Sequence, residues 1–257
     1  MSGATRDARF LPALNPLAKF AAPAPAMIAL VFVRDLATPT VFLCLASVVL
    51  LAGARPTRRV IGILFAAVPA AVVIVGVGFA LWVDPARVAD TPVLIRLGGW
   101  TLTAGALEIG LATGVRLAAI MALAFIGGLT TAGEDLVRAL VQQLHVPYRV
   151  GYAALAAMRF VPRFGHELTV IRQAHRVRGA HGGVLSAPAR WAGYVVPLLA
   201  GAIRHAERVA LAMDARAFGA HPDRTERHLV PWRRRDTVFV AAFCVVSAAM
   251  FVALRPF

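Results

Sequence analysis

The sequence predicts an all-α fold: a polytopic membrane protein with about five or six transmembrane segments and long cytoplasmic helices. Three observations carry that prediction. Of the 257 residues, 59% are apolar and only 16% charged, a balance too greasy for an ordinary soluble domain. The apolar residues are gathered into runs of helical length, separated by short basic or Pro/Gly-marked loops. After Gly133 the pattern changes to two long segments in which arginine is too dense for a bilayer core, while apolar residues recur too regularly for a solvated tail. The expected division is membrane helices over 1–132, a mainly cytoplasmic helical region with partly membrane-associated segments over 133–235, and a last membrane helix over 236–257.

Taken in order, Asn15 is placed to cap a helix that Pro16 opens at its first position. The first apolar run, 20–33, is short for a bilayer of roughly 30 Å and contains Pro23 and Pro25, so it is the weakest span. Arg34-Asp35 breaks it, and Thr38-Pro39 opens the next run, 40–53, which leads to the basic loop 55–59. A third run covers 60–83. Residues 84–100 are mixed, with Pro85, Pro92, Gly98 and Gly99, and read as an external loop. The run 102–129 crosses back and carries Gly110 and Gly114, a spacing of small residues that lets membrane helices approach closely. Residues 134–145 form a short amphipathic helix, Pro147 restarts the chain, and the two arginine-bearing segments run to Gly179 and Gly219. The last span, 238–254, follows Trp232-Arg233-Arg234-Arg235, an aromatic anchor joined to a positive-inside signal. Together the basic residues place the N-terminus, the 55–59 loop and most of 133–235 inside, and 84–100 outside.

The net charge of +14 is accounted for by this positive-inside bias, without a nucleic-acid partner. Cys44 and Cys244 lie in separate apolar runs without flanking ligands and read as packing residues. Lys19 is the sole lysine and no phosphate-binding loop exists, so the chain is no P-loop ATPase by itself. The seven histidines show no metal-ligand spacing, and no nucleophile turn accompanies them. Glu108 and Arg116 are the ionisable residues within a span. Glu108 reads as near the outer end, whereas Arg116 lies deeper and must snorkel or find a partner, in a structural role.

The two long segments end alike, in Val177-Arg178-Gly179 and Ala215-Arg216-Ala217-Phe218-Gly219. Arginine occupies the last turn, where the helix dipole favours a cation, and glycine follows where a left-handed cap residue is usually needed. Either motif alone fits an ordinary capped helix. As a pair they fit a second reading, in which Arg178 and Arg216 reach past the helix ends to grip acidic groups on another protein through bidentate bonds.

With these motifs in place, the chain resembles the transmembrane T component of energy-coupling factor (ECF) transporters, ABC-type importers of vitamins and transition-metal ions. The resemblance lies in Asn15-Pro16 with Lys19, Arg116, Leu129-Thr130-Thr131 before Asp135-Leu136, Arg159-Phe160-Val161-Pro162, Val196-Pro197-Leu198, Arg204 with Ala206-Glu207-Arg208, and the two arginine endings. The family's paired Ala-Arg-Gly motifs fall on 177–179 and 215–217, with valine for the first alanine and alanine for the second glycine. The resemblance implies coupling helices whose tips dock into two ABC ATPase subunits, which bind ATP and Mg; this chain itself holds no cofactor and no metal. It also implies a small membrane S component that binds the substrate, a plasma or inner membrane location in a bacterial-type cell, and cytoplasmic coupling helices. Pro162 and Pro197 would interrupt the long helices and allow bends, and Val177 and Phe218 would add apolar anchorage beside the arginines. Three other readings compete: a conventional ABC permease, which would need a single coupling loop and polar spans in place of two similar helix ends; a polytopic membrane enzyme, for which Asp214, Asp223 and Glu226 are a poor candidate site because no phosphate- or metal-binding pattern surrounds them; and a membrane scaffold, which the two arginines leave open.

Overall fold

A computed structural model describes residues 10–53, 61–62, 65–66, 68–84, 88, 91–97, 100–178, 187–222 and 225–254. The basic loop 55–59, Gly179 and Asp223 lie outside the described residues. The described elements are α1 (Pro16–Ala21), α2 (Ala24–Phe32), α3 (Ala37–Gly53), α4 (Val68–Ala80), β1 (Val93–Leu97), β2 (Trp100–Thr103), α5 (Ala104–Gly128), α6 (Gly133–Gln143), α7 (Tyr148–Val177), α8 (Ala187–Asp214) and α9 (Arg234–Leu254). They fall into two compact units, one formed by 1–132 with 230–257 and the other by 133–229.

Helix starts in the first unit follow side-chain chemistry. Asn15 Oδ1 accepts the Leu17 N–H at 2.9 Å and Pro16 occupies the first turn of α1, as expected from sequence. Pro23 separates α1 from α2. The Asp35 carboxylate accepts both the N–H and the hydroxyl of Thr38 at 2.8 Å, which sets the first turn of α3. Thr103 caps α5 through a bond from the Ala106 N–H at 3.3 Å. Residues 84–100 depart from a plain loop, because β1 and β2 pair antiparallel with Val93 opposite Thr103 and Leu97 opposite Trp100. Consequently α5 begins at Ala104, two residues later than the apolar run suggests.

α5 is the hub of this unit. Its buried Ala119, Ala122, Leu123 and Ile126 meet Leu30 of α2, Phe42, Ala46 and Leu50 of α3, and Phe243 of α9. On another face Gly110 and Gly114 bring α5 against α4: a Cβ on Gly110 would lie 2.8 Å from Ala80 N, and one on Gly114 would lie 2.7 Å from Val72 O. Backbone approach of this kind matters in lipid, where apolar burial gives helices little reason to associate and close van der Waals contact must do so.

Among the described residues, two helices are long and apolar enough to cross a membrane: α5, with mean hydropathy 2.0, and α9, with 2.5. At 1.5 Å per residue they reach about 38 Å and 32 Å, enough for a hydrocarbon core of roughly 30 Å. The stretches Pro16–Phe32, Ala37–Gly53 and Val68–Ala80 are apolar but shorter. Apolar side chains also point outwards, Ile74 on α4 and Val238, Val245 and Val252 on α9 among them. Exposed apolar helix faces of this extent suit lipid and would be a liability in water.

The polar groups inside the first unit are tied to helix ends. Arg116 Nη1 donates to the Val33 carbonyl at 2.9 Å, where α2 ends, so the deep arginine finds a partner at the negative pole of a helix. Lys19, only 2% exposed, donates from Nζ to the Thr130 carbonyl at 2.8 Å, just past α5. Asp236, 1% exposed, accepts from the Asn15 N–H at 2.8 Å and the Arg233 N–H at 2.7 Å, while Arg235 donates to the Ala13 carbonyl. The N-terminal helix and the start of α9 are thereby joined by hydrogen bonds.

Candidate functional site

The second unit holds both arginine endings. α7 and α8 run 30 and 28 residues without a break, so each is on the order of 40 Å long. Pro162 and Pro197 lie inside them, and each removes one backbone donor without ending its helix; the expected interruption does not occur. The helices pack antiparallel. Phe160 meets His205 with ring centroids 4.4 Å apart, and His175 meets Tyr194 at 5.1 Å, so contacts move down α8 as they move up α7. Arg172 stacks over Trp191 at 4.7 Å, a cation–π contact near the same end. Antiparallel packing puts the C-terminal ends of α7 and α8 at opposite ends of the pair, so Arg178 and Arg216 are widely separated tips.

At the first tip, Arg178 is the C-cap of α7, and its N–H donates to the Ala174 carbonyl at 3.1 Å. Its side chain is exposed and bonds to no described residue, and Val177 beside it is 88% exposed. The last described residues of this helix end are thus cationic and apolar together, and both are exposed.

The second tip is built differently. After Asp214, the Ala217 N–H donates to the Asp214 carbonyl at 2.9 Å and the Phe218 N–H to the Met213 carbonyl at 3.0 Å. This pair of bonds is a Schellman ending, with Arg216 at the C-cap and Ala217 as the left-handed residue at φ +54°. Sequence points to Gly219 for that place. Gly219 is also left-handed, at φ +90°, but lies two residues further on and shapes the exit of the chain. Alanine takes the strained position because the capping bonds and the packing of the next residue fix it there.

That next residue is Phe218, whose ring meets Tyr148 and Tyr152 edge-on at 5.7 and 6.0 Å. Phe218 is therefore half-buried against the first turns of α7. Around it, Arg149 Nη2 donates to the Gly219 carbonyl at 2.7 Å and the Tyr148 hydroxyl to the His221 carbonyl at 2.7 Å. The Gln142 amide of α6 donates to the His228 carbonyl at 2.8 Å. These ties clamp the chain after α8 onto α6 and α7, leaving Ala215, Arg216 and Ala217 exposed. The Arg216 guanidinium bonds to no described residue. Tyr148 and Tyr152 escape a motif-based search, although their i, i+4 spacing marks one helix face and pairs with the lone aromatic of the second ending.

A helical core around α5, apolar faces directed outwards and two span-length helices among the described residues suit a membrane protein. The family model for CbiQ, described as cobalt transport protein, matches residues 7–227, and the chain belongs to that family. Among curated proteins it is similar to the energy-coupling factor transporter transmembrane protein EcfT of Limosilactobacillus fermentum, at 34% identity over 49% of this chain and 48% of that protein. It is likewise similar to the EcfT of Staphylococcus aureus, at 28% identity over 62% of this chain and 63% of the relative. A putative ABC transporter ATP-binding protein of Bifidobacterium longum matches at 28% identity over 62% of this chain, which is 22% of that longer protein. The chain thus spans about half to nearly two thirds of the length of the EcfT relatives named here.

Proposed function

We propose that this chain is the energy-coupling transmembrane component of an ECF-type ABC importer for a vitamin or a transition-metal ion. Family membership and the names of its relatives support the class of function. The observation that carries the mechanism is the pair of exposed arginines, neither bonded to a described residue, at opposite ends of one antiparallel helix pair. Two such tips suit two docking points, one on each of two ATPase subunits that hold ATP and Mg. An ATP-binding protein among the relatives supports partners of that kind.

In this scheme 133–229 faces the cytoplasm, as does the N-terminus. Val177 and Arg178 form one tip, with Gly179 next in sequence, and Ala215 to Gly219 form the other. At the second, Arg216 makes the contact and Phe218 holds the tip in place from within. Closure of the ATPases on ATP moves the two tips relative to each other. α7 and α8 carry the displacement, with Pro162 and Pro197 as the points where a missing backbone bond eases bending. The displacement reorients a small substrate-binding S component in the membrane. The chain performs no chemistry itself; Arg116 holds the end of α2 in place. Reconstitution tests this directly: the chain, two ATPase subunits and a small membrane protein should purify as one assembly whose ATP hydrolysis supports uptake. Uptake that persists without this chain would refute the proposal.

A further inference from the structure

The two tips differ in a respect that docking alone leaves unused. Among the described residues Arg178 lines no cleft, whereas Arg216 lines one of about 760 Å³ within the second unit. Arg159 of α7 and Arg227 line the same cleft. Both are exposed, and neither makes a hydrogen bond or ion pair to a described residue. Arg138 also reaches the wall, but Glu134 and Asp135 pair with it at 2.8 and 2.7 Å. Glu226 is the sole carboxylate on the described wall, and its Oε2 accepts the Tyr152 hydroxyl at 3.1 Å. Among the described residues, three cations without counter-ions therefore share a concave site with one engaged carboxylate. Phe160 and Phe218 add apolar wall, which lowers the local dielectric and focuses a positive potential on whatever enters.

We infer that this cleft is a socket for a carboxylate-bearing projection of the ATPase, with Arg159 and Arg227 recognising it alongside Arg216. The inference rests on the docking reading and extends it. Continuity with the Arg216 tip favours a segment of the same partner, and the charge balance demands an acidic one. Arginine forks bind carboxylates bidentately, and the aromatic wall covers the bonded groups from water. Docking is then asymmetric: the first tip enters its ATPase as a knob, while the second receives part of its ATPase as a socket.

The test uses the full-length chain in lipid nanodiscs and the purified ATPase subunits, with affinity measured for wild type, Arg159→Glu/Arg227→Glu, Arg216→Glu and Arg178→Glu. Charge reversal at Arg159 and Arg227 should weaken ATPase binding about ten-fold or more and flatten its salt dependence. Arg159→Gln/Arg227→Gln, which removes the cations without adding acids, should lose about three-fold or more and stands in if the reversed variant does not fold. Wild-type affinity in both double variants, with Arg216→Glu still impaired, overturns the socket and leaves the docking reading intact. Unchanged ATPase affinity combined with a lost response to anionic lipid would assign the cleft to a headgroup and equally overturn it. Wild-type affinity in Arg178→Glu and Arg216→Glu as well would refute the docking reading itself.

Discussion

At the scale of single residues, the second helix ending shows how a local rule is overridden. A reader of the sequence assigns the left-handed turn to Gly219, because glycine adopts it freely; the capping bonds assign it to Ala217 instead. A non-glycine residue there is strained by about 1–2 kcal/mol. Ala217→Gly should therefore stabilise the protein by about 0.5–1 kcal/mol after the greater freedom of glycine in the unfolded chain is counted. Thermal unfolding followed by circular dichroism in detergent checks it, and a lowered midpoint would show that alanine is not strained. Asp236 offers the opposite case. It escaped sequence reading because a lone aspartate after three arginines resembles a surface charge, yet it is buried and accepts two backbone N–H groups. Asp236→Ala orphans both donors and should cost about 2–4 kcal/mol, read as a lower unfolding midpoint and weakened association of the N-terminal helix.

At the scale of elements, regularity decided what was legible. α3, α5, α7, α8 and α9 follow from apolar or amphipathic runs, and the caps at Asn15 and Pro16 from residue type. The β1–β2 hairpin did not follow, although Gly98-Gly99 between two apolar stretches is a hairpin signal, because prolines and glycines across 84–100 read equally as a loop. Proline inside α7 and α8 also misleads: tertiary packing along the pair, through Phe160, His205, His175 and Tyr194, keeps each helix continuous. The small-residue spacing at Gly110 and Gly114 had a firmer physical basis, since only glycine lets the backbone of α4 come so close. Gly110→Val should force the helices apart and cost about 1–3 kcal/mol, visible as reduced protease resistance of the membrane-extracted protein. Gly78, where a Cβ would meet nothing within 4 Å, is the control and should tolerate alanine.

At the scale of the whole molecule, one feature recurs in both the sequence and the fold: a membrane unit built on α5, and a second unit whose long helix pair ends in two cations. The cations were legible because arginine at a helix end followed by glycine is a sequence-level pattern. Their opposite placement was not, because it depends on the antiparallel pairing of α7 with α8. The clamp of Tyr148, Arg149 and Tyr152 on the second ending was hidden for the same reason, being made by residues about 70 positions apart. Each single charge reversal, Arg178→Glu or Arg216→Glu, should weaken ATPase association by about 2–5 kcal/mol, with the two effects close to additive because the tips are far apart. The most direct measurement is retention of the ATPase subunits, together with substrate uptake, by the Arg178→Glu/Arg216→Glu variant inserted in the membrane at wild-type level. Loss of both, beyond either single variant, is the expected result; an intact assembly with undiminished uptake would contradict a coupling role for the two tips.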